Sequence, residues 1–252
     1  MIGDEVMHRK GKIFITLLVL TVLVVGGYFL ALKTGVIWKE EVDEEKYRVR
    51  GIAVSEDNGD INWTQVKKDG NMSFAFIRAT QGTMVKDKKY SANYVGATNA
   101  GLKIGIYHEF VYGNDISTQV KFYTTTVKVP KNQLKPVWKI MFDMSLMTED
   151  DKIAFQDQML DAALKIKETY DKNLMIYTTE KIYQELFSGS KFDMNNLVVE
   201  NLKFKPLMMD ASRWNFWQYK TDGTVPGITM PTCKLVYTNT PEDFENYIAH
   251  TK

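Results

Sequence analysis

From Arg48 to the C-terminus, short runs rich in β-branched and aromatic residues alternate with helix-like stretches, and this rhythm restricts the fold more than any other feature of the chain. The runs are Val49–Ser55, Phe74–Thr80, Lys103–Phe110, Pro136–Asp143, Leu174–Thr178, Leu197–Asn201, Phe216–Tyr219 and Lys234–Tyr237. Strand–helix alternation implies a parallel sheet, and eight such strands predict an α/β fold closed as a (β/α)8-type, TIM-like barrel. The later units lack long helices, so the last third of the barrel should be irregular. Among the helices, Glu149–Tyr170 is the clearest. Thr148 and Asp151 have capping-box spacing, and Ile153, Phe155, Met159, Leu160, Ala163 and Leu164 form a mainly helical stripe. Tyr90–Ala100 is closed by Gly101, and a last helix begins at Thr240-Pro241-Glu242-Asp243.

Barrels of this kind work at the carboxyl ends of their strands. The positions to inspect are therefore Ala53, Ser55, Arg78, Thr80, Tyr107, Glu109, Lys139, Met141, Asp143, Tyr177, Glu200, Trp217, Tyr219 and the Cys233–Leu235 region.

The N-terminus sets the expected location. Ile13 to Leu32 carries no charge and is mostly apolar. As a helix it would span about 30 Å, the thickness of a bilayer's hydrocarbon core. Arg9, Lys10 and Lys12 precede it, and Glu40, Glu41, Asp43, Glu44 and Glu45 follow. The positive-inside rule then places residues 1–12 in the cytoplasm, a single-pass anchor at 13–32, a charged stalk at 33–47 and the barrel domain, 48–252, outside the cell membrane. A cleaved signal peptide is the rival reading, but the run is long for one and lacks a good small-residue cleavage site.

Net charge is +1 and the basic residues are interleaved with acids, so no field invites nucleic acid. Cys233 is the one cysteine, which excludes an intrachain disulfide. His8, His108 and His250 do not fall at metal-ligand spacing, and no metal or cofactor is implied.

Several segments, taken in order, resemble glycoside hydrolase family 25, the muramidase (lysozyme) family. They are Gly51-Ile52-Ala53-Val54-Ser55, Gly59-Asp60-Ile61-Asn62-Trp63, Phe74 to Gly82, Ala100 to His108, Ile176-Tyr177-Thr178, Trp214 to Tyr219 and Val225-Pro226-Gly227-Ile228. The resemblance implies a barrel acting on peptidoglycan, with acids clustered at its mouth. The family's first segment reads G-I-D-V-S, its fourth strand ends D-x-E and a V-D-L-N run lies near its end. Ala53, Lys139, Met141 and Cys233 stand at those acidic positions here. Glycoside hydrolysis normally uses two carboxyl groups flanking the bond. Alanine and methionine move no proton, and a lysine repels the cationic transition state.

Glu109 and Asp143 are the acids that could substitute, although an ion pair would consume Glu109, with Lys139 a candidate cation. Arg78, Tyr107, Trp217 and Tyr219 are candidate ligand-binding residues, the aromatic faces suiting sugar rings. Three readings stay open. One is a membrane-anchored pseudoenzyme that binds wall glycan or docks a wall or secretion-machinery protein. Another is an active muramidase with relocated acids, and the third is an interaction module with a closed cleft.

Overall fold

The computed structural model describes residues 2–34, 42–43, 45–190, 197–203, 205–206 and 214–250, with side chains in the first helix described over 14–30. Two compact units are present, 1–41 and 42–252. The described residues of the first form one helix, α1 (Ile2–Thr34). Its apolar side chains, such as Phe14, Leu17, Leu23 and Phe29, are exposed. Among the described residues no helix is long and apolar enough to cross a membrane; in α1 the described side chains cover 14–30, a shorter stretch than the anchor expected at 13–32. Residues 35–41 and 44 of the expected stalk lie outside the described residues.

The second unit holds the sheet. Its strands are β1 (Arg50–Val54), β2 (Phe74–Gln81), β3 (Val85–Lys86), β4 (Lys103–Glu109), β5 (Val137–Ile140), β6 (Met175–Thr179), β7 (Leu197–Glu200), β8 (Trp214–Val225) and β9 (Ile228–Tyr237). They run in the order β1-β9-β8-β7-β6-β5-β4-β2-β3, and β1 also pairs with β2. That pairing closes an eight-stranded barrel, with β3 a short flap on β2. Every ladder from β1 through β2, β4, β5, β6 and β7 to β8 is parallel. The two ladders of β9 are antiparallel.

The irregularity expected in the last third is therefore a long β8–β9 hairpin in place of a helical crossover. A two-residue turn can reverse a strand but cannot return it parallel, so β9 enters the barrel upside down. The hairpin is also longer than the sequence runs at Phe216–Tyr219 and Lys234–Tyr237.

Helices α2 (Trp63–Lys68), α3 (Tyr90–Asn99), α4 (Ile116–Thr126) and α5 (Glu149–Tyr170) follow the first strands. A short helix, α6 (Glu180–Ile182), continues into one π-helical turn, and α7 (Pro241–Ala249) ends the fold. Both expected capping boxes form, Thr148 with Asp151 and Thr240 with Asp243. The face that α5 buries is Phe155, Met159, Ala162 and Ile166, one regular helical stripe. Ile153 and Leu164, expected in that stripe, point to solvent.

Strand alternation divides the core in two. An inner cluster fills the barrel with Ala53, Phe74, Phe76, Tyr107, Val137, Met175, Tyr177, Val198, Phe216 and Leu235, joined by Phe244 and Ile248 of α7. An outer cluster lies under the helices and includes Ile52, Val54, Ile77, Ile106, Trp138, Ile140, Ile176, Val199 and Trp217. The interior is dense: a Cβ on Gly105 would sit 2.4 Å from the Phe76 ring. The barrel is thus a packed core, and chemistry is confined to its mouth.

Candidate functional site

The antiparallel entry of β9 brings two small residues face to face. Ala53 on β1 is the direct register partner of Cys233 on β9; Ala53 belongs to the inner cluster and half-buried Cys233 packs against it. Across the mouth, β5 contributes Lys139, whose register partners are Glu109 on β4 and Tyr177 on β6. The Lys139 ammonium lies over two aromatic rings, 5.9 Å from the Tyr107 centroid and 5.4 Å from that of Tyr177. Such contacts hold a cation by the ring quadrupole. Met141, just past β5, packs against the same inner cluster.

A second group surrounds Arg78 on β2. Its Nε donates to Asp87 Oδ2 at 3.0 Å and its Nη1 to Glu109 Oε2 at 2.9 Å. Asp57 and Glu56 carboxylates lie further off, at 3.5 and 3.8 Å from Nη2. The Asp87 side chain is fully buried and also accepts backbone N–H bonds from Glu56 and Lys89. Burial of Arg78 works against its charge, but the bonds to Glu109 and Asp87 outweigh this and drive its pKa upward. Glu109 is therefore a fixed ion-pair partner. Its cation is Arg78, not Lys139 as the strand pattern had suggested.

A third group was visible in the sequence only as a strand end. Glu200 closes β7, and its Oε2 accepts from the Gln218 amide on β8. Burial raises the Glu200 pKa, opposed by nearby Lys139 and the Gln218 bond. Burial also raises the Cys233 thiol, again opposed by Lys139. Tyr177 is fully buried, and its hydroxyl has no hydrogen-bond partner among the described residues.

Residues 52–228 match the model of the glycosyl hydrolases of family 25. The chain belongs to that family. Among solved structures, it is similar to a family 25 glycosyl hydrolase from Bacillus anthracis, with 26% identity and a TM-score of 0.72 over 84% of this chain and 97% of that one. A bacterial lysozyme from Streptomyces coelicolor gives 25% identity and 0.69 over 81% and 98%. Among curated relatives, the autolytic lysozyme of Clostridium acetobutylicum is 28% identical over 186 residues, 72% of this chain and 53% of that protein. Lysozyme M1 of Streptomyces globisporus is 57% identical over 60 residues, 24% of this chain and 20% of its own length. The chain thus spans about half of one relative and a fifth of the other.

Within this family 25 barrel the candidate residues separate. Ala53, Arg78, Tyr107, Glu109, Lys139, Met141 and Cys233 are brought to one end. Asp143 is exposed and caps the turn Met144–Leu146, accepting the Ser145 N–H at 2.9 Å. That bond lowers its pKa. Trp217 and Tyr219 take the other parity of β8. Phe216 and Gln218 face inward, whereas Trp217 lies in the outer cluster and donates its indole N–H to the Asn201 carbonyl at 2.8 Å. Tyr219 packs against that outer cluster and stacks edgewise on Trp217 at 5.9 Å. Of the expected sugar-stacking aromatics, only Tyr107 belongs to the inner cluster, where it neighbours Tyr177. His108 has the outward parity as well, buried between Thr80 Oγ1 at 2.8 Å and Gln119 Oε1 at 3.1 Å.

Proposed function

We propose that this family 25 domain is a pseudoenzyme that binds cell-wall glycan without cutting it. The observation that carries the proposal is Lys139. Its ammonium occupies the barrel mouth at a position where the family resemblance implies a carboxylate, held between Tyr107 and Tyr177. Two unit charges 4 Å apart interact by about 4 kcal/mol near a protein surface. A lysine there opposes an oxocarbenium-like state by an energy of the order that a carboxylate would contribute in its favour. The relocated-acid reading is weakened on both sides, since Glu109 is bound to Arg78 and Asp143 serves as an exposed cap.

We further propose that α1 anchors the domain in the cell membrane with the barrel on the outer side. The helix is continuous through the uncharged run 13–32, and Arg9, Lys10 and Lys12 flank its cytoplasmic end. Held there, the domain meets peptidoglycan and could also present the glycan to a wall or secretion-machinery protein.

Co-sedimentation of the full-length protein with purified sacculi tests the reading. Binding without solubilised muropeptides is the expected result. Muropeptide release that disappears in Glu109→Gln or Asp143→Asn would replace it with the relocated-acid enzyme. Failure to sediment with sacculi would favour a protein-interaction module.

A further inference from the structure

Taking the glycan-binding reading as its base, we infer that the barrel mouth is a carboxylate-binding subsite, in which Lys139 and the Tyr177 hydroxyl recognise an acidic N-acetylated wall sugar. Lys139 forms no ion pair among the described residues, and its neighbours at the mouth are the rings of Tyr107 and Tyr177. An ammonium offers three donors and no acceptor. Tyr177 is fully buried with its hydroxyl unpartnered among the described residues. A buried polar group left without a partner is destabilising, and an incoming acceptor would recover that loss. The two donors stand on register-paired residues, with the ammonium 5.4 Å from the Tyr177 ring centroid, and together they call for an anionic acceptor.

The competing acids are accounted for. Glu109 is held by Arg78, and Glu200 has one oxygen engaged by the Gln218 amide. Burial raises the Glu200 pKa and nearby Lys139 offsets part of that rise, so Glu200 is the principal competitor for the ammonium. Cys233 is held toward its neutral form by burial and adds no anionic charge. Ala53 and Cys233, paired across β1 and β9, place small side chains beside these donors. Relative to the arrangement implied by the resemblance, four negative charges have gone and one positive charge has arrived. That exchange turns a mouth suited to a developing cation into one suited to a resident anion.

The test is titration of the full-length protein in micelles with N-acetylmuramic acid, its methyl ester and N-acetylglucosamine, read by NMR shift changes. Charge-assisted hydrogen bonds are worth about 1.5–3 kcal/mol, so the acid should bind at least about tenfold more tightly than the ester or the neutral sugar. Lys139→Met and Tyr177→Phe should each erase much of that preference, and Lys139→Arg should keep it. The comparison of acid with ester on the unaltered protein needs no variant to fold. Equal affinity for acid and ester, or no binding of the acid, overturns the subsite. Sacculi that still co-sediment would then leave the glycan reading standing, and loss of that binding too would remove both.

Discussion

Replacing Arg78 by methionine keeps most of its apolar volume and removes the cation at the centre of the carboxylate cluster. The Arg78 side chain is 11% exposed and that of Asp87 is 0% exposed, so deletion strands a charge in the interior. Breaking one side of a buried pair costs roughly 3–5 kcal/mol. The two backbone N–H bonds that Asp87 retains keep the loss from going higher. Glu109 is 29% exposed and can turn to water, so its share should stay under about 1 kcal/mol. For a domain of this size each kcal/mol moves the melting temperature by about 2–4 °C, giving a fall of roughly 6–20 °C. Urea denaturation and calorimetry of Arg78→Met beside Glu109→Gln would measure both parts. The glutamine variant should lose no more than about 2 kcal/mol, because Arg78 keeps Asp87. Arg78→Met within about 1 kcal/mol of the parent would refute the argument that the buried Asp87 carboxylate depends on Arg78.

Other consequences are narrower. Burial lowers the His108 pKa from 6.5 to about 4, so as the pH falls the unfolded chain takes up its proton first. Stability from this group is full above about pH 6.5 and is lost down to about pH 4, by up to about 3 kcal/mol, and His108→Gln should flatten that part of a urea-midpoint profile. Gly105→Ala should cost about 1–3 kcal/mol by driving a Cβ against the Phe76 ring at 2.4 Å, measured by equilibrium unfolding. Thr148→Ala removes the cap at the start of α5 and should cost about 1 kcal/mol in the same assay.

The parts of the fold that were legible in the sequence are those where local chemistry and tertiary context agree. Helix α5 begins at a capping box and ends where expected, because the box satisfies its first N–H groups whatever it packs against. Its buried face was less legible. Ile153 and Leu164 are as apolar as Phe155 and Ile166, and only the curvature of the barrel decides which side is covered. The hairpin was hidden by two competing turn signals. Asp222-Gly223 reads as a turn, yet the chain reverses at Pro226-Gly227, where Gly227 supplies a φ of 92°. At the site, motif spacing picks out Ala53, Lys139 and Met141; Ala53 lies in the inner cluster, Met141 packs against it and the Lys139 ammonium lies over the Tyr107 ring. Trp217 and Tyr219 face outward because they take the parity opposite to Phe216 and Gln218, which a linear motif alone does not reveal. Arg78 could not be matched to Asp87 from sequence, since that carboxylate arrives on the loop after β3.

The proposed function requires a mouth that holds a sugar but lacks the groups to protonate and stabilise it during cleavage. Its most direct measurement is prolonged incubation of purified peptidoglycan with the full-length protein, followed by reductive labelling and counting of new muramic-acid reducing ends. The account predicts a count equal to the protein-free control. New reducing ends that rise in proportion to protein concentration would contradict it.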